Sequence, residues 1–154
     1  MLRVYREQKF NLMEVSMWRV ISIALLLAGC TQLPPTQADM QAKRFDSVAD
    51  KAVIYVVRTP MDSWESSSVA LDNAQITTHR GTYYRWEVAP GAHRVTGMGF
   101  GTAGVTVNTA PGKIYFVEHT VLGDKDDGGV TNTRLKQVDD QSGRALVARA
   151  EMLR

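Results

Sequence analysis

The run Ala52–Arg58, "AVIYVVR", decides the architecture. Its apolar residues occupy consecutive positions rather than alternate ones, and Val53, Ile54, Val56 and Val57 are β-branched. That is the signature of a central strand covered on both faces. The neighbouring "TYYRWEV", Thr82–Val88, behaves differently. Tyr84, Trp86 and Val88 fall on one side and Tyr83, Arg85 and Glu87 on the other, the period of two of a half-buried strand.

Working outward, "SVALDNAQITT" reads as two short strands around Asp72-Asn73, a pair that tolerates positive φ. Pro90-Gly91 reverses the chain after Val88. A hairpin with its loop at Ala89–Ala92 sets Val88 opposite His93, Glu87 opposite Arg94 and Trp86 opposite Val95, so that His93 bonds across the hairpin. "AGVTVNT", the turn Pro111-Gly112 and "IYFVEHTVL" form a second hairpin, and "TNTRLKQV" is a last strand. Ser142 is placed to cap a helix over Arg144–Leu153, with Leu146, Ala150 and Leu153 on one face. Upstream, Thr36 and Asp39 read as a capping box opening a short helix from Gln37 to Asp46, with Met40 and Phe45 as its apolar contacts. The fold expected is all-β: a small antiparallel β-sandwich of about seven or eight strands, with a short N-terminal helix and a short C-terminal helix.

The N-terminal third is organised otherwise. Trp18–Ala28 is apolar apart from Arg19 and Ser22, too short to span a bilayer as a helix. It follows basic residues and ends in small ones, the layout of a secretory leader. Leu27-Ala28-Gly29-Cys30 resembles the lipobox of bacterial lipoproteins, and Cys30 is the chain's one cysteine. The resemblance implies cleavage before Cys30, a lipid on its sulfur and an acylated new amine. Several acyl chains on one residue supply more than the single lipid signal that binds only reversibly. Thr31 stands where the family associates Asp with inner-membrane retention, which favours the outer membrane. The expected organisation is a leader over residues 1–29, whose true start is Met1, Met13 or Met17. A lipidated tether with its helix follows over 30–50, then the sandwich over 51–154. Pro34 and Pro35 favour an extended tether, whose first ten or so residues reach about 30 Å.

Charge and cysteine usage exclude several functions. Arg3, Arg6, Lys9 and Arg19 are four of the 18 basic residues, and Glu7 and Glu14 two of the 16 acidic ones, so residues 30–154 carry no net charge. A neutral domain lacks the electrostatic footprint for nucleic acid. One cysteine makes neither an internal disulfide nor a cysteine-based metal site.

The order "VIYVVR", "VALDN", "GTYYRWEVAPGAHRV", "PGKIYFVEH" and "LKQVDDQSGRALV" resembles an uncharacterised bacterial family, the domain of unknown function numbered twenty-eight forty-six, common in small lipoproteins. The likeness runs from about Ala52 to Leu153. Tyr55–Arg58, Pro90-Gly91-Ala92-His93 and Gly112–Phe116 are its most specific pieces. The family more often has Tyr at Val57 and Gly at Asn73. The Pro-Gly-x-His turn is also similar to those of PEGA and carboxypeptidase-regulatory-like sandwiches, which mostly bind or brace. The resemblance implies a sandwich on a lipid tether and carries no activity with it.

Chemical motifs are weak. Gly99-Phe100-Gly101-Thr102-Ala103-Gly104 fits G-x-G-x-x-G, but a strand follows where a dinucleotide site needs a helix N-terminus, so no cofactor is expected. Asp124, Asp126 and Asp127 precede Gly128-Gly129, yet Gly128 and Leu135 stand where a calcium loop of the helix–loop–helix type has Asp or Asn and Glu. No G-x-S-x-G elbow accompanies Ser66-Ser67-Ser68. His79, His93 and His119 lack ligand spacing, and His119 shares a strand face with Val117 and Val121, which predicts a hydrogen-bonded structural histidine and no metal. Trp64, in the polar loop "TPMDSWESSS", either folds over the end of the core or serves as a binding residue on a rigid scaffold.

These readings converge on a non-enzymatic, membrane-anchored envelope lipoprotein facing the periplasm, held by the lipid on Cys30 and binding an envelope protein or glycan. The rival is a membrane-tethered, metal-dependent hydrolase using His79, His93 and His119, with Glu118 as base. A third idea is strand addition by a partner at an exposed sheet edge.

Overall fold

Ala52–Arg58 is β1, and all seven residues are buried. It lies at the centre of a five-stranded sheet of order β8-β7-β1-β4-β9. The computed structural model describes residues 34–98, 104–123 and 132–153. These residues form nine strands in two sheets, with two short helices. Besides β1, the large sheet holds β4 (Thr82–Val88), β7 (Ile114–Leu122), β8 (Asn132–Val138) and the two-residue β9 (Glu151–Met152). The second sheet has the order β3-β2-β5-β6, from β2 (Ser67–Leu71), β3 (Ala74–Thr78), β5 (Gly91–Gly97) and β6 (Gly104–Thr109).

Both faces of β1 are covered, by different things. Ile54 and Val56 pack with Val69, Leu71, Val95 and Val107 of the second sheet, which makes the molecule sandwich-like. Val53, Tyr55 and Val57 pack on the opposite face with Ala42 of helix α1 (Gln37–Ala42) and Val147 of helix α2 (Asp140–Ala148). The arrangement is therefore helices, sheet, sheet. Two tyrosines fasten α1. Tyr55 donates its hydroxyl to the Ala42 carbonyl at 2.6 Å, and Tyr83 donates to the Asp39 carboxylate at 2.8 Å. Buried polar groups need such partners, and these tie the helix to one position on the sheet.

The sheet is mixed rather than wholly antiparallel. β7 runs parallel to β1, pairing Val53 with Ile114 and Arg58 with His119, and β9 runs parallel to β4. Both Pro-Gly turns differ from the hairpins expected of them. β4 pairs with β1 and β9, whereas β5 pairs with β2 and β6. Pro90-Gly91 hands the chain from one sheet to the other, so Val88 and His93, Glu87 and Arg94, and Trp86 and Val95 are not ladder partners. Pro111-Gly112 hands it back from β6 to β7. Gly91, at φ +151°, takes a conformation open to glycine but rarely to other residues. Three pairs of consecutive strands form hairpins: β2–β3, around Asp72-Asn73 with Asp72 at φ +49°, β5–β6 and β7–β8.

The helix ends also depart from expectation. Thr36 caps α1, its hydroxyl accepting the Asp39 N–H at 3.1 Å, but the helix stops at Ala42 rather than Asp46. Asp139, not Ser142, caps α2: its carboxylate accepts both the N–H and the hydroxyl of Ser142. The helix thus starts at Asp140 and ends at Ala148. Beyond it Glu151 donates to the Gly81 carbonyl and Leu153 to that of Tyr83, drawing the chain out as β9.

Candidate functional site

The strands share two poles. At one lie Arg58, the Thr59–Ser66 loop, Thr78 to Thr82, Met98 and Leu122. At the other lie the Asp72-Asn73 turn and the two Pro-Gly crossings. The first pole is built from a buried charge. Ile54, Val56 and Arg58 project between the sheets by strand alternation, so Arg58 carries its guanidinium into the end of the core, with none of its side chain exposed. Four residues on, Asp62 turns back into the same space with 1% exposure. Arg58 Nε donates to both Asp62 oxygens at 3.1 and 3.3 Å, Nη1 to the Thr78 carbonyl at 3.0 Å, and Nη2 to the Ser63 carbonyl at 2.7 Å. Asp62 also accepts the Val121 N–H at 2.9 Å, and Ser63 donates to the Val121 carbonyl at 3.1 Å. The loop is thereby pinned to β7 and β3.

Beside Arg58 sits His119, fully buried. The Thr78 hydroxyl donates to the Ser67 carbonyl at 2.9 Å and lies 3.2 Å from His119 Nδ1. Having spent its proton on Ser67, the hydroxyl accepts from Nδ1–H, and Nε2 is left as a buried lone pair without a partner among the described residues. Burial, and then the adjacent Arg58 charge, push the imidazole down to about 4, so it is neutral at pH 7. This is the structural histidine that its strand face predicts.

Pinning the loop from below leaves its apolar side chains outside. Met61 is 91% and Trp64 78% exposed, so Trp64 does not fold over the core. The Arg80 guanidinium, from the tight β3–β4 connection, stacks over the Trp64 ring. Leu122, at the end of β7, and Met98, at the end of β5, are exposed at the same pole. Of the five exposed large hydrophobic residues among those described, four are here, and the fifth, Met40, is on α1.

His93 is at the far pole. Its Nδ1 lies 2.7 Å from the Asp72 carboxylate and its Nε2 2.7 Å from the Ala89 carbonyl. Both partners are acceptors, so the ring is fully satisfied only as imidazolium. Burial lowers its pKa, but those two acceptors outweigh it and the net shift is upward. His93 thus bonds back over the Pro90 crossing, and its ring packs edge-on against Trp86 at 5.4 Å.

The sequence-predicted residues are accordingly scattered. Trp64 and exposed His79 share the first pole, His119 is buried beneath it, and His93, Pro90 and Gly91 are at the opposite one. Glu118 alternates with His119 and faces away from it. No group of three or more His, Cys, Asp or Glu side chains able to hold a metal occurs among the described residues. Two shallow grooves, of about 330 Å³ between α1 and β4 and about 390 Å³ beside α2, contain no histidine. Leu27 to Cys30, Gly99 to Ala103 and the Asp124–Gly129 cluster lie outside the described residues, and Gly104 opens β6. Arg58, Asp62, Met61 and Arg80 carry the site without having been singled out. Arg58 had a visible signal, a charge at the interior-facing end of an otherwise aliphatic strand with a carboxylate four residues on.

No protein-family model matches the chain, and no curated protein is detectably similar to it in sequence.

Proposed function

We propose that the protein is a lipid-anchored module of the bacterial envelope that binds or braces rather than catalyses, held in the outer membrane through Cys30 and facing the periplasm. The observation that carries this reading is the placement of the lone cysteine at the end of Trp18–Ala28, in Leu27-Ala28-Gly29-Cys30, ahead of a proline-containing tether. The resemblance of Ala52–Leu153 to a family common in small lipoproteins supports the same assignment. So does the pole, where a pinned loop offers exposed Trp64 and Met61 to a partner. The hydrolase alternative has less to work with, since His119 is buried and His93 is engaged through both nitrogens at the other pole.

Metabolic labelling with alkyne-palmitate tests the anchor. The wild type should take up label and fractionate with the outer membrane, and Cys30→Ala should do neither. An unlabelled wild type, or a soluble uncleaved chain, would sink the proposal.

A further inference from the structure

We propose that the pole bearing Met61, Trp64, Met98 and Leu122 docks onto the lipid surface in which the anchor sits, so that the domain stands on the membrane with its Asp72-Asn73 pole outward. The proposal rests on the lipoprotein reading of Cys30. It is carried by where the tether joins the domain. Asp39, in the first turn of α1, accepts the Met152 N–H at 3.1 Å and the Tyr83 hydroxyl at 2.8 Å. Tyr83 pairs with Val57, one residue short of Arg58. From there α1 runs away from the pole, since Ala42 meets Tyr55. The chain therefore enters at the level of the apolar pole. Only five residues separate Cys30 from Thr36, and the six steps between them span at most about 20 Å.

The chemistry of the pole suits a bilayer interface. Tryptophan with a stacked arginine and protruding Met and Leu side chains places apolar groups among acyl chains and a cation among headgroup phosphates. These few side chains would hold a free protein only weakly. On a tethered domain they need only select an orientation, because the anchor supplies the local concentration. The buried Arg58–Asp62 pair keeps the loop in shape, so little order is lost on docking. The far pole presents Asp72, Asn73 and Arg94 and, among the described residues, no exposed large hydrophobic.

The full mature lipoprotein, purified with its lipid and checked by intact mass, is reconstituted into phosphatidylethanolamine–phosphatidylglycerol vesicles with or without acyl-brominated lipid. Cleavage before Cys30 removes Trp18, leaving Trp64 and Trp86 to report, and Trp64→Phe isolates Trp86. The expected result is loss of most Trp64 emission in brominated vesicles, with Trp86 little changed and Trp64 shielded from external iodide. An acylated, vesicle-bound protein whose Trp64 ignores bromine and is quenched by iodide would overturn the docking while leaving the anchor intact. The pole would then belong to a periplasmic protein or glycan. A mature chain without acyl mass would overturn the anchor and the docking together.

Discussion

Arg58 carries a charge into a space that β1 otherwise fills with aliphatic side chains. Such a pair contributes little net stability over an apolar pair of the same size, but removing one partner strands the other charge out of water. Asp62→Asn should therefore lower unfolding free energy by about 3–5 kcal/mol in urea titration. Arg58→Met with Asp62→Leu should recover much of that loss, while releasing the Ser63 and Thr78 carbonyls and loosening the Trp64 loop. His119 gives a separate signature. The unfolded chain protonates it near its ordinary 6.5, and the folded chain resists to about 4. Unfolding takes up a proton between those values, so stability falls on acidification across that window, by about 3 kcal/mol at most. His93, whose folded pKa is raised, acts with the opposite sign: its contribution is present below 6.5 and fades as pH rises through the folded value. The depressed carboxylates Asp39, Asp72 and Glu87 act near and below pH 4.5, where their unfolded counterparts take up protons. Stability of His119→Gln measured from pH 7 to 4 should lack the slope that the wild type shows above pH 4.5.

Gly143 tests the packing of an element against its neighbour. It lies in the first turn of α2, where alanine would ordinarily favour the helix by about 1 kcal/mol. Here the helix passes so close to β7 that an added Cβ would occupy the Phe116 side chain. Overpacking of that kind costs about 1–3 kcal/mol, and more when aromatic neighbours cannot move. Gly143→Ala should thus lower the melting temperature, and a rise would mean that α2 can slide away from Phe116. Contacts of this sort were not legible in the sequence, whereas the strands themselves were. "AVIYVVR" announced two covered faces, and the alternation of "TYYRWEV" separated Tyr84 and Trp86, which face the inter-sheet core, from Tyr83. That Tyr83, on the side a half-buried strand leaves open, is buried against the helices was not legible. The Pro-Gly turns misled because a tight turn has the same local chemistry whether its strands pair or part. The choice lay with long-range partners, since β1 and β9 take the edges of β4 while β2 and β6 take those of β5. The convergence of Met61 with Leu122 was hidden for the same reason, depending on β7 lying parallel beside β1. Trp64 alone was visible from sequence, as a large aromatic in a polar loop.

At the scale of the whole molecule, the two poles differ in the chemistry they offer, and the proposed anchor on Cys30 would turn that difference into an orientation. A free domain with a few exposed apolar side chains would tumble against a membrane and leave it. On the proposed anchor, a domain tied by five residues near those side chains would meet the same surface continually. The chain also supplies its own means of reading the result. Cys30 is its one cysteine, and in the acylated protein that the proposal requires its thiol is consumed, so any introduced cysteine would be the sole reactive one. Met61→Cys and Asn73→Cys place single thiols at opposite poles, both at exposed positions where neither side chain supports the core. In detergent, a bulky water-soluble maleimide should label both. In vesicles, Asn73→Cys should label at its detergent rate and Met61→Cys several-fold more slowly. Equal rates in vesicles would mean that the domain hangs freely from its tether, and slower labelling at Asn73 would mean that the Asp72 pole is the one set against lipid. The reagent reads position alone, so the outcome bears on orientation whatever else the exposed tryptophan binds.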